Sequence, residues 1–413
     1  MQLHEIVEAA KESTQKIGAA DAVIGVFDAS SPEQIARAMA AAQESVNSLA
    51  RPARVVLLHS GSPQEFPADS PDRLRAIPFP LAETSSLDSV SSVFHAYRSL
   101  LAVGTNLGAR AFASVWGDPD GLTPQWIYYL LQPVLELDYD LVTPSYDHHR
   151  FDALLTGGII APFTRALYGR QIPHPLGPDF GLSGRFARYL DETRGSSLSP
   201  FREWLFPASE AIRGGFEISR AYLGLRRYPP TDWSNPSSTV ARVLSAVFWE
   251  AECNAPFWQR VRGSKPVPAL GEPTFSAEEP GHGPLDLRRM YDSFQLACRS
   301  LQEIWGLVLP PSSIMALRRI AQSPLETFRM PDDLWARVIY DFALGYHLKT
   351  MNQEHLLRSM SPLFLGWAAS YAAEVEQSGP LAVEERLDQL GLAFESAKPY
   401  FLSRWRWPDR FNP

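Results

Sequence analysis

The chain has 413 residues, which at about 150 residues per domain suggests two or three structural units. Its 46 acidic residues outnumber its 38 Lys and Arg residues, and the formal charge of −8 gives no basic footprint for binding nucleic acid. The 45% of hydrophobic and 20% of charged residues are typical of a globular protein and exclude a disordered chain.

The cysteine count and the hydropathy pattern narrow the class of protein further. Only Cys253 and Cys298 are present, so neither a disulfide framework nor a multi-thiolate metal site is expected. The first 16 residues lack the apolar core of a signal peptide, and no run of about 18 apolar residues predicts a transmembrane helix. We therefore expect a cytoplasmic protein without a transmembrane segment.

The first 180 residues alternate short apolar runs with amphipathic segments, which predicts an α/β fold. After the first strand, Ser31-Pro32-Glu33-Gln34 has the pattern of a helix start, with a Ser cap and Gln at the capping-box position. The predicted strands are 21–29, 54–59, a weak strand near 74–79, 109–116 and 140–143. After the helix that starts at Ser31, two more helices are predicted at 87–103 and 123–137.

Beyond Pro144 the pattern becomes loop-rich and then mainly helical. Residues 216–228 predict a strand pair or a strand and turn, 237–262 predict a helix, and the Pro/Gly-rich run 265–284 predicts a linker. Further helices are predicted at 286–307, 312–322, 331–349, 361–377 and 383–396. The predicted organisation is an N-terminal helix (1–20), an α/β domain (21–262), a linker (263–285) and a helical C-terminal region (286–413).

The loop after the fourth predicted strand contains two carboxylates, Asp118 and Asp120. Carboxylates separated by one residue can bind one divalent cation such as Mg²⁺ or Mn²⁺, with a diphosphate as the natural cargo. The sequence Asp-Pro-Asp-Gly is also an ordinary turn, and composition alone favours that interpretation. No P-loop or Gly-x-Gly-x-x-Gly motif is present, which argues against a P-loop NTPase or a dinucleotide dehydrogenase.

Several long segments resemble bacterial GT-A glycosyltransferases of the family-2 type, in the branch related to glucosyl-3-phosphoglycerate synthase and mannosylglycerate synthase. The resemblance extends over nearly the whole chain, and its tail segments are specific to this branch. The segments that carry it are 123–146 (TPQWIYYLLQPVLELDYDLVTPSY), 146–169 (YDHHRFDALLTGGIIAPFTRALYG), 174–184 (HPLGPDFGLSG), 214–228 (GGFEISRAYLGLRRY) and the helical tail.

This resemblance implies a Rossmann-like nucleotide-diphospho-sugar transferase domain with a mainly helical C-terminal region. It also implies transfer of a hexose from a nucleoside-diphosphate sugar to a small acceptor, with a divalent metal on the diphosphate. The expected nucleotide-binding residues are Phe27, Asp28, Ser60, Trp116 and Asp118, and the expected metal ligands are Asp118 and Asp120.

The chain departs from the family pattern at three positions that matter for this chemistry. Trp116 takes the place of the first carboxylate of Asp-x-Asp, Val93 that of a Lys near the phosphates, and Tyr228 that of a metal-ligand His. Trp is no metal ligand, and a Tyr phenol with a pKa of about 10 is a poor one. We therefore expect weaker metal binding than in the family.

On the acceptor side, the resemblance assigns a carboxylate to Asp179, in the loop that also contains Gly177. In an inverting enzyme this carboxylate acts as general base, whereas in the retaining enzyme that the resemblance favours it orients the sugar or acceptor. A turn-capping Asp is the alternative. The expected acceptor-binding residues are Tyr146, Arg150, Asp152, Tyr168 and Gly177.

Two functions follow from these residues. The first is hexosyl transfer to a small acceptor, for which an anionic molecule is the candidate class. The alternative is a catalytically degenerate homologue that binds a sugar, a nucleotide or a partner protein, and the losses at Trp116, Val93 and Tyr228 favour it. The aromatic side chains of the tail predict helix packing, and a tail this apolar is also compatible with a homodimer.

Overall fold

The computed structural model describes residues 3–27, 29–61, 73–79, 90–116, 121–176, 179–193, 206–226, 233, 235–273 and 285–408. The chain forms two compact units. The first, here the sheet unit, comprises Met1–His148, His174–Arg227 and Val267–Ser276. The second, here the helical unit, comprises His149–Pro173, Tyr228–Pro266 and Ala277–Pro413. The units are thus interleaved along the chain, whereas the sequence predicted consecutive domains.

Within the described residues, ten strands form two sheets. The strands are β1 (Ala22–Val26), β2 (Val55–His59), β3 (Leu74–Pro78), β4 (Ala111–Val115), β5 (Leu141–Asp147), β6 (Arg170–Gln171), β7 (Phe180–Ser183), β8 (Ile218–Leu225), β9 (Lys265–Pro266) and β10 (Ala269–Leu270). The large sheet has the order β10-β8-β5-β7-β4-β1-β2-β3, and β6 pairs with β9 in the helical unit.

All strands of the large sheet are parallel except β7, which pairs antiparallel with both β4 and β5. The order β3-β2-β1-β4 is that of a Rossmann-like nucleotide-binding half. Strands β1, β2 and β4 are buried at every residue, as expected for central parallel strands covered on both faces. The predicted α/β class is therefore confirmed.

Sixteen α-helices lie within the described residues. They are α1 (Leu3–Thr14), α2 (Pro32–Ser48), α3 (Val90–Asn106), α4 (Pro124–Glu136), α5 (Ala161–Tyr168), α6 (Gly184–Glu192), α7 (Phe206–Gly214), α8 (Ser237–Cys253), α9 (Ala255–Trp258), α10 (Leu287–Ser300), α11 (Gln302–Gly306), α12 (Pro311–Ile320), α13 (Asp332–Leu348), α14 (Gln353–Ser359), α15 (Ser361–Val375) and α16 (Pro380–Arg406).

The start of α2 confirms the predicted capping box. The Ser31 hydroxyl accepts from the Gln34 backbone N–H at 3.2 Å, and the Gln34 side chain accepts from the Ser31 N–H at 3.2 Å. These two bonds satisfy N–H groups that a helix start would otherwise leave unpaired. The helix then packs its buried Ile35, Ala38 and Ala42 into the core of the sheet unit.

Other element predictions differ from the structure in extent. Of the predicted strand segment 216–228, residues 218–225 form β8, and 227–228 lie outside the described residues. The helix predicted at 237–262 ends at Cys253, and the last helix runs from 380 to 406 instead of 383 to 396. The predicted linker 263–285 includes the strands β9 and β10, since Lys265–Pro266 pairs with β6 and Ala269–Leu270 pairs with β8.

The helical unit is built around aromatic side chains, as predicted for the tail. The Trp335 and Trp367 rings stack at 5.9 Å, and the Trp335 indole N–H donates to the carbonyl of Gly158 at 2.8 Å. A Cβ at Gly158 would overlap the ring of Trp367, so this glycine allows the close approach. Helix α16 is tied to α5 by the ion pair of Arg165 with Glu395 at 2.6 Å.

Candidate functional site

Polar and aromatic residues gather at the carboxyl edge of the large sheet. Phe27, Ser60, Trp116 and Arg226 each come directly after a parallel strand, namely β1, β2, β4 and β8, and Tyr146 is the next-to-last residue of β5. The carboxyl ends of parallel strands lie at one edge, where open α/β sheets bind their ligands. The sequence-predicted residues Phe27, Ser60, Trp116 and Tyr146 are thus brought to one edge of the sheet unit.

The strand order reverses between β1 and β4, and this is where a ligand crevice is expected. Hydrogen bonds link the ends of β4 and β1 across this point and the ends of β1 and β2 beside it. The Phe27 N–H donates to the Val115 carbonyl at 3.0 Å, the Ser60 hydroxyl donates to the Phe27 carbonyl, and the Ser60 N–H donates to the carbonyl of Ala29 at 3.0 Å. These bonds fix the backbone on both sides of the reversal.

The side chain of Phe27 belongs to the core. Its ring is 2% exposed and stacks on Phe79 with 5.3 Å between ring centroids. Any contribution of Phe27 to ligand binding would therefore come from its backbone. Ser60 and Trp116, by contrast, are half-buried at the edge.

Asp179 is the centre of a buried hydrogen-bond network. Its Oδ1 accepts from the backbone N–H of Trp116 at 2.7 Å, and its Oδ2 accepts from the Tyr146 hydroxyl and from the Arg226 guanidinium. Arg226 also donates to the Tyr146 hydroxyl at 3.2 Å and to the Trp116 carbonyl at 2.9 Å. Asp179 is 0% exposed and Arg226 is 6% exposed, so the ion pair lies inside the sheet unit.

Two opposing effects act on the Asp179 carboxyl. Burial raises its pKa, because a charged carboxylate loses its hydration, while Arg226, Tyr146 and the Trp116 N–H favour the charged form and lower the pKa. Burial is the larger effect. The Asp179 carboxylate contacts three protein donors and no solvent. The sequence did not predict these contacts with Trp116, Tyr146 and Arg226. The catalytic role of Asp179 stays a prediction.

A row of rings continues from this network. The rings of Trp126 and Tyr146 lie 5.7 Å apart, those of Tyr146 and His174 lie 5.0 Å apart, and those of His174 and His148 lie 5.4 Å apart. Burial, followed by the charges of His148 and Arg226, lowers the pKa of His174 well below its usual value. His174 is therefore a neutral imidazole at pH 7.

Arg226 and His174 were not singled out from the sequence. Arg226 stands in Gly224-Leu225-Arg226-Arg227, where a basic pair is typical of a solvated strand end. The available signal was its place near the end of the predicted strand segment 216–228, at the edge where ligands bind. His174 begins the segment 174–184 that carries part of the resemblance, and it gave no separate signal.

The predicted metal ligands Asp118 and Asp120 lie outside the described residues, as do Asp28 and Gly177. Within the described residues, no group of three or more His, Cys, Asp and Glu side chains could hold a metal ion. Asp179, one of the described carboxylates of this edge, is already bonded to a guanidinium. The residues described here therefore do not fit a divalent cation, and its binding rests on the predictions for Asp118 and Asp120.

The predicted acceptor-binding residues divide between the two units. Tyr146 belongs to the sheet unit, whereas Arg150, Asp152 and Tyr168 belong to the helical unit. Arg150 donates to the carbonyls of Val375 and Glu376 at 3.1 and 2.5 Å, and Asp152 accepts from the N–H of His149 at 3.2 Å.

Tyr168 is 4% exposed, and its hydroxyl is engaged inside the helical unit. It accepts from the Asn254 side chain at 3.1 Å and donates to the Glu250 carbonyl at 3.4 Å. These contacts hold α5 against α8. A role of Tyr168 in acceptor binding stays a prediction.

No protein-family model matches the sequence, and no curated protein matches it. Among solved structures, glucosyl-3-phosphoglycerate synthase from Mycobacterium tuberculosis matches with 17% identity, over 60% of this chain and 85% of that chain, at a TM-score of 0.36. Its complex with Mn²⁺, UDP-glucose and phosphoglyceric acid matches with 14% identity, over 58% and 83% of the two chains, at 0.36. Its complex with Mn²⁺, UDP and phosphoglyceric acid matches with 15% identity, over 58% and 82%, at 0.37.

Among the described residues, no helix is both long enough and apolar enough to cross a membrane.

Proposed function

We propose that this protein is a GT-A glycosyltransferase that moves a hexose from a nucleoside-diphosphate sugar to a small anionic acceptor. The observation that carries the proposal is the strand-order reversal between β1 and β4, with Phe27, Ser60 and Trp116 at the carboxyl ends around it. Nucleotides bind at such reversals because the strand ends open a crevice there. Of the five residues that the resemblance assigned to the nucleotide, Phe27, Ser60 and Trp116 follow strands at this edge and support the proposal, whereas Asp28 and Asp118 lie outside the described residues.

In this proposal the acceptor and the metal rest on predictions from the sequence. Asp118 and Asp120 supply the carboxylates for Mg²⁺ or Mn²⁺, and affinity for the metal is weaker than the family norm because Trp116 replaces a carboxylate. Tyr146, Arg150, Asp152, Tyr168 and Gly177 are the proposed acceptor residues, and transfer with retention is the proposed outcome. The enzyme acts in the bacterial cytoplasm.

A binding panel followed by a turnover assay tests the proposal. The full chain is titrated calorimetrically with UDP, GDP and ADP and with their glucose and mannose conjugates, with and without Mn²⁺. The conjugate that binds is then incubated with phosphorylated and carboxylated three-carbon acceptors, and release of the nucleoside diphosphate is measured. Acceptor-dependent release supports glycosyl transfer. No release with any conjugate, despite an intact fold, contradicts it.

A second candidate is a homologue that binds a nucleotide sugar without transferring the sugar. Two observations favour it: Trp116 replaces a family carboxylate, and the retained Asp179 is 0% exposed and bonded to three protein donors. A carboxylate in that state cannot take a proton from an acceptor hydroxyl without first leaving its partners. Tight nucleotide-sugar binding with no turnover would select this candidate.

A further inference from the structure

We propose that Arg226 and Asp179 are positioning residues that fix the backbone of Trp116 at the carboxyl edge of the large sheet, where the sugar-donor nucleotide is proposed to bind. The expected effect on nucleotide binding rests on the proposed function. The pair touches no substrate in this account. It acts through Trp116, whose two peptide groups it bonds on both sides.

The backbone pairing of β4 with β7 ends two residues before Trp116. Strand β4 pairs with antiparallel β7 from Ala111↔Ser183 to Ser114↔Phe180, and no further pair follows along β4 within the described residues. The N–H of Trp116 therefore meets a side chain instead of a backbone carbonyl. It donates to Asp179 Oδ1 at 2.7 Å, and a charged acceptor makes this bond stronger than a ladder bond.

The carbonyl of Trp116 is held as well as its N–H. The Trp116 carbonyl accepts from Arg226 Nη2 at 2.9 Å, while Arg226 Nη1 holds Asp179 Oδ2. The planar guanidinium thus joins the carboxylate and the carbonyl in one fixed geometry. The backbone N–H of Arg226 donates to the Asp147 carbonyl at 2.8 Å, which fixes the start of the Arg226 side chain on β5.

Trp116 directly follows β4, beside the point where the strand order reverses. The carbonyl of the preceding residue, Val115, accepts from the N–H of Phe27 across the strand-order reversal. Three consecutive backbone groups at the reversal are therefore bonded, one by β1 and two by the Arg226–Asp179 pair. A buried ion pair is by itself weak evidence of stabilisation, because desolvation offsets its attraction. The bonds of this pair to the backbone of Trp116, at the carboxyl edge of the sheet, indicate a positioning role.

The same unit offers a matched control at its opposite edge. Asp140 is 1% exposed and precedes β5, and it accepts from Arg185 Nε at 2.7 Å, from the Ser183 hydroxyl at 2.7 Å and from the Glu217 N–H at 3.1 Å. This pair also combines a buried carboxylate, a guanidinium and a backbone N–H. It lies at the amino edge of the parallel strands, away from the proposed donor site.

The test compares Arg226→Lys with Arg185→Lys, and Asp179→Asn with Asp140→Asn. A lysine keeps the charge but cannot bond the carboxylate and the carbonyl together. Two quantities are measured on the full chain: the hydrogen exchange rate of the Trp116 amide relative to the amides of β4, and the Kd for UDP, GDP and ADP. Referring the exchange rate to β4 separates local loosening from global destabilisation.

We expect the Arg226 and Asp179 variants to accelerate exchange at Trp116 by about tenfold relative to β4 and to raise the nucleotide Kd by about tenfold, with neither change in the control variants. Unchanged exchange at Trp116 overturns the inference. If the wild type binds a nucleotide and the variants show faster exchange at Trp116 but an unchanged nucleotide Kd, the inferred effect on nucleotide binding is overturned. A wild type that binds no nucleotide refutes the proposed function instead, and the exchange rate alone then decides whether the pair positions Trp116.

If an arginine variant fails to fold, Asp179→Asn decides the outcome. Its amide oxygen can still accept from the Trp116 N–H, whereas its charge attraction to Arg226 is lost. Exchange at Trp116 that rises in this variant supports the inference, and exchange equal to that of Asp140→Asn overturns it.

Discussion

The Asp179 carboxylate and the Arg226 guanidinium, 47 residues apart in the chain, form an ion pair inside the sheet unit, and each bonds a different peptide group of Trp116. Tyr146 completes the network, because its hydroxyl donates to Asp179 and its ring lies 4.9 Å below the guanidinium carbon of Arg226. The parts of the network come from the ends of β4, β5 and β8 and from the residue before β7.

The Tyr146 hydroxyl is the simplest part of this network to remove. Tyr146→Phe deletes a donor to Asp179 and leaves the buried carboxylate with one bond fewer. We expect the free energy of unfolding to fall by about 1–3 kcal/mol, measured by urea denaturation. Tyr128→Phe, at a half-buried tyrosine of α4, is the control and is expected to change stability by less than about 0.5 kcal/mol. Equal effects in the two variants would contradict the network account.

Asp341 of α13 gives the helical unit a pH-dependent contact. It is 1% exposed, its Oδ1 accepts from the Tyr400 hydroxyl of α16 at 2.7 Å, and burial raises its pKa to about 7 against the opposing charge of Arg404. Its Oδ2 has no hydrogen-bond partner in the part of the chain that the structure describes. The protonated form is thus favoured in the folded state.

The sign of the effect follows from proton binding. Between the unfolded pKa of about 4 and the folded value of about 7, the folded state binds more protons, so stability falls as pH rises through this range. Each tenfold change in proton affinity corresponds to about 1.4 kcal/mol. We expect urea midpoints to fall between pH 4 and 7 in the wild type and to fall less in Asp341→Asn. The exposed Asp292→Asn is the control, and a fall as steep in Asp341→Asn as in this control would contradict the assignment.

His59, the last residue of β2, has the opposite sign. It is 1% exposed, its Nδ1 accepts from the Gly61 N–H at 3.2 Å, and burial lowers its pKa to about 4. A neutral buried imidazole contributes stability that is present above the unfolded pKa of about 6.5 and is lost as pH falls through about 4. We expect His59→Asn to reduce the acid sensitivity of unfolding between pH 6.5 and 4, whereas the exposed His355→Asn leaves it unchanged.

Gly181 of β7 tests the packing between the sheet and α4. A Cβ at this position would overlap the backbone carbonyl of Leu130, which cannot move without displacing the helix. We expect Gly181→Ala to destabilise the protein by about 1–3 kcal/mol or more in thermal or urea unfolding. Gly379→Ala is the control, because a Cβ there meets nothing within 4 Å and its φ is −77°. Similar stabilities of the two variants would show that the sheet and helix adapt.

Much of the sheet unit was predictable because its elements carry local signals. The continuous apolar runs of β1, β2 and β4 and the Ser31–Gln34 capping box identify strands and a helix start without reference to the rest of the chain. Strand β7 was missed because it has four residues, one of them glycine, and its stability comes from pairing with β4 and β5. Helix α6, which follows it directly, lies in the same segment that was predicted as loops.

The site was predictable only where the residue type itself carries chemistry. Asp179 and Tyr146 were singled out, yet the sequence could not show that they bond each other or that Arg226 joins them. The partners of Arg226 in this network lie 47, 80 and 110 residues away along the chain, and only the sheet topology brings them together. Asp179 therefore has a role in holding Trp116 that spacing alone does not indicate.

A donor nucleotide is proposed to bind at the carboxyl edge of the large sheet, where the strand order reverses between β1 and β4. The most direct measurement is a hydrogen-exchange map of the full chain with and without saturating UDP-, GDP- or ADP-sugar and Mn²⁺, since a ligand that binds the folded state slows exchange at its contacts. We expect slower exchange at the ends of β1, β2 and β4, around Phe27, Ser60 and Trp116. Protection confined to other elements, or none with any of the three nucleotide sugars, would contradict it.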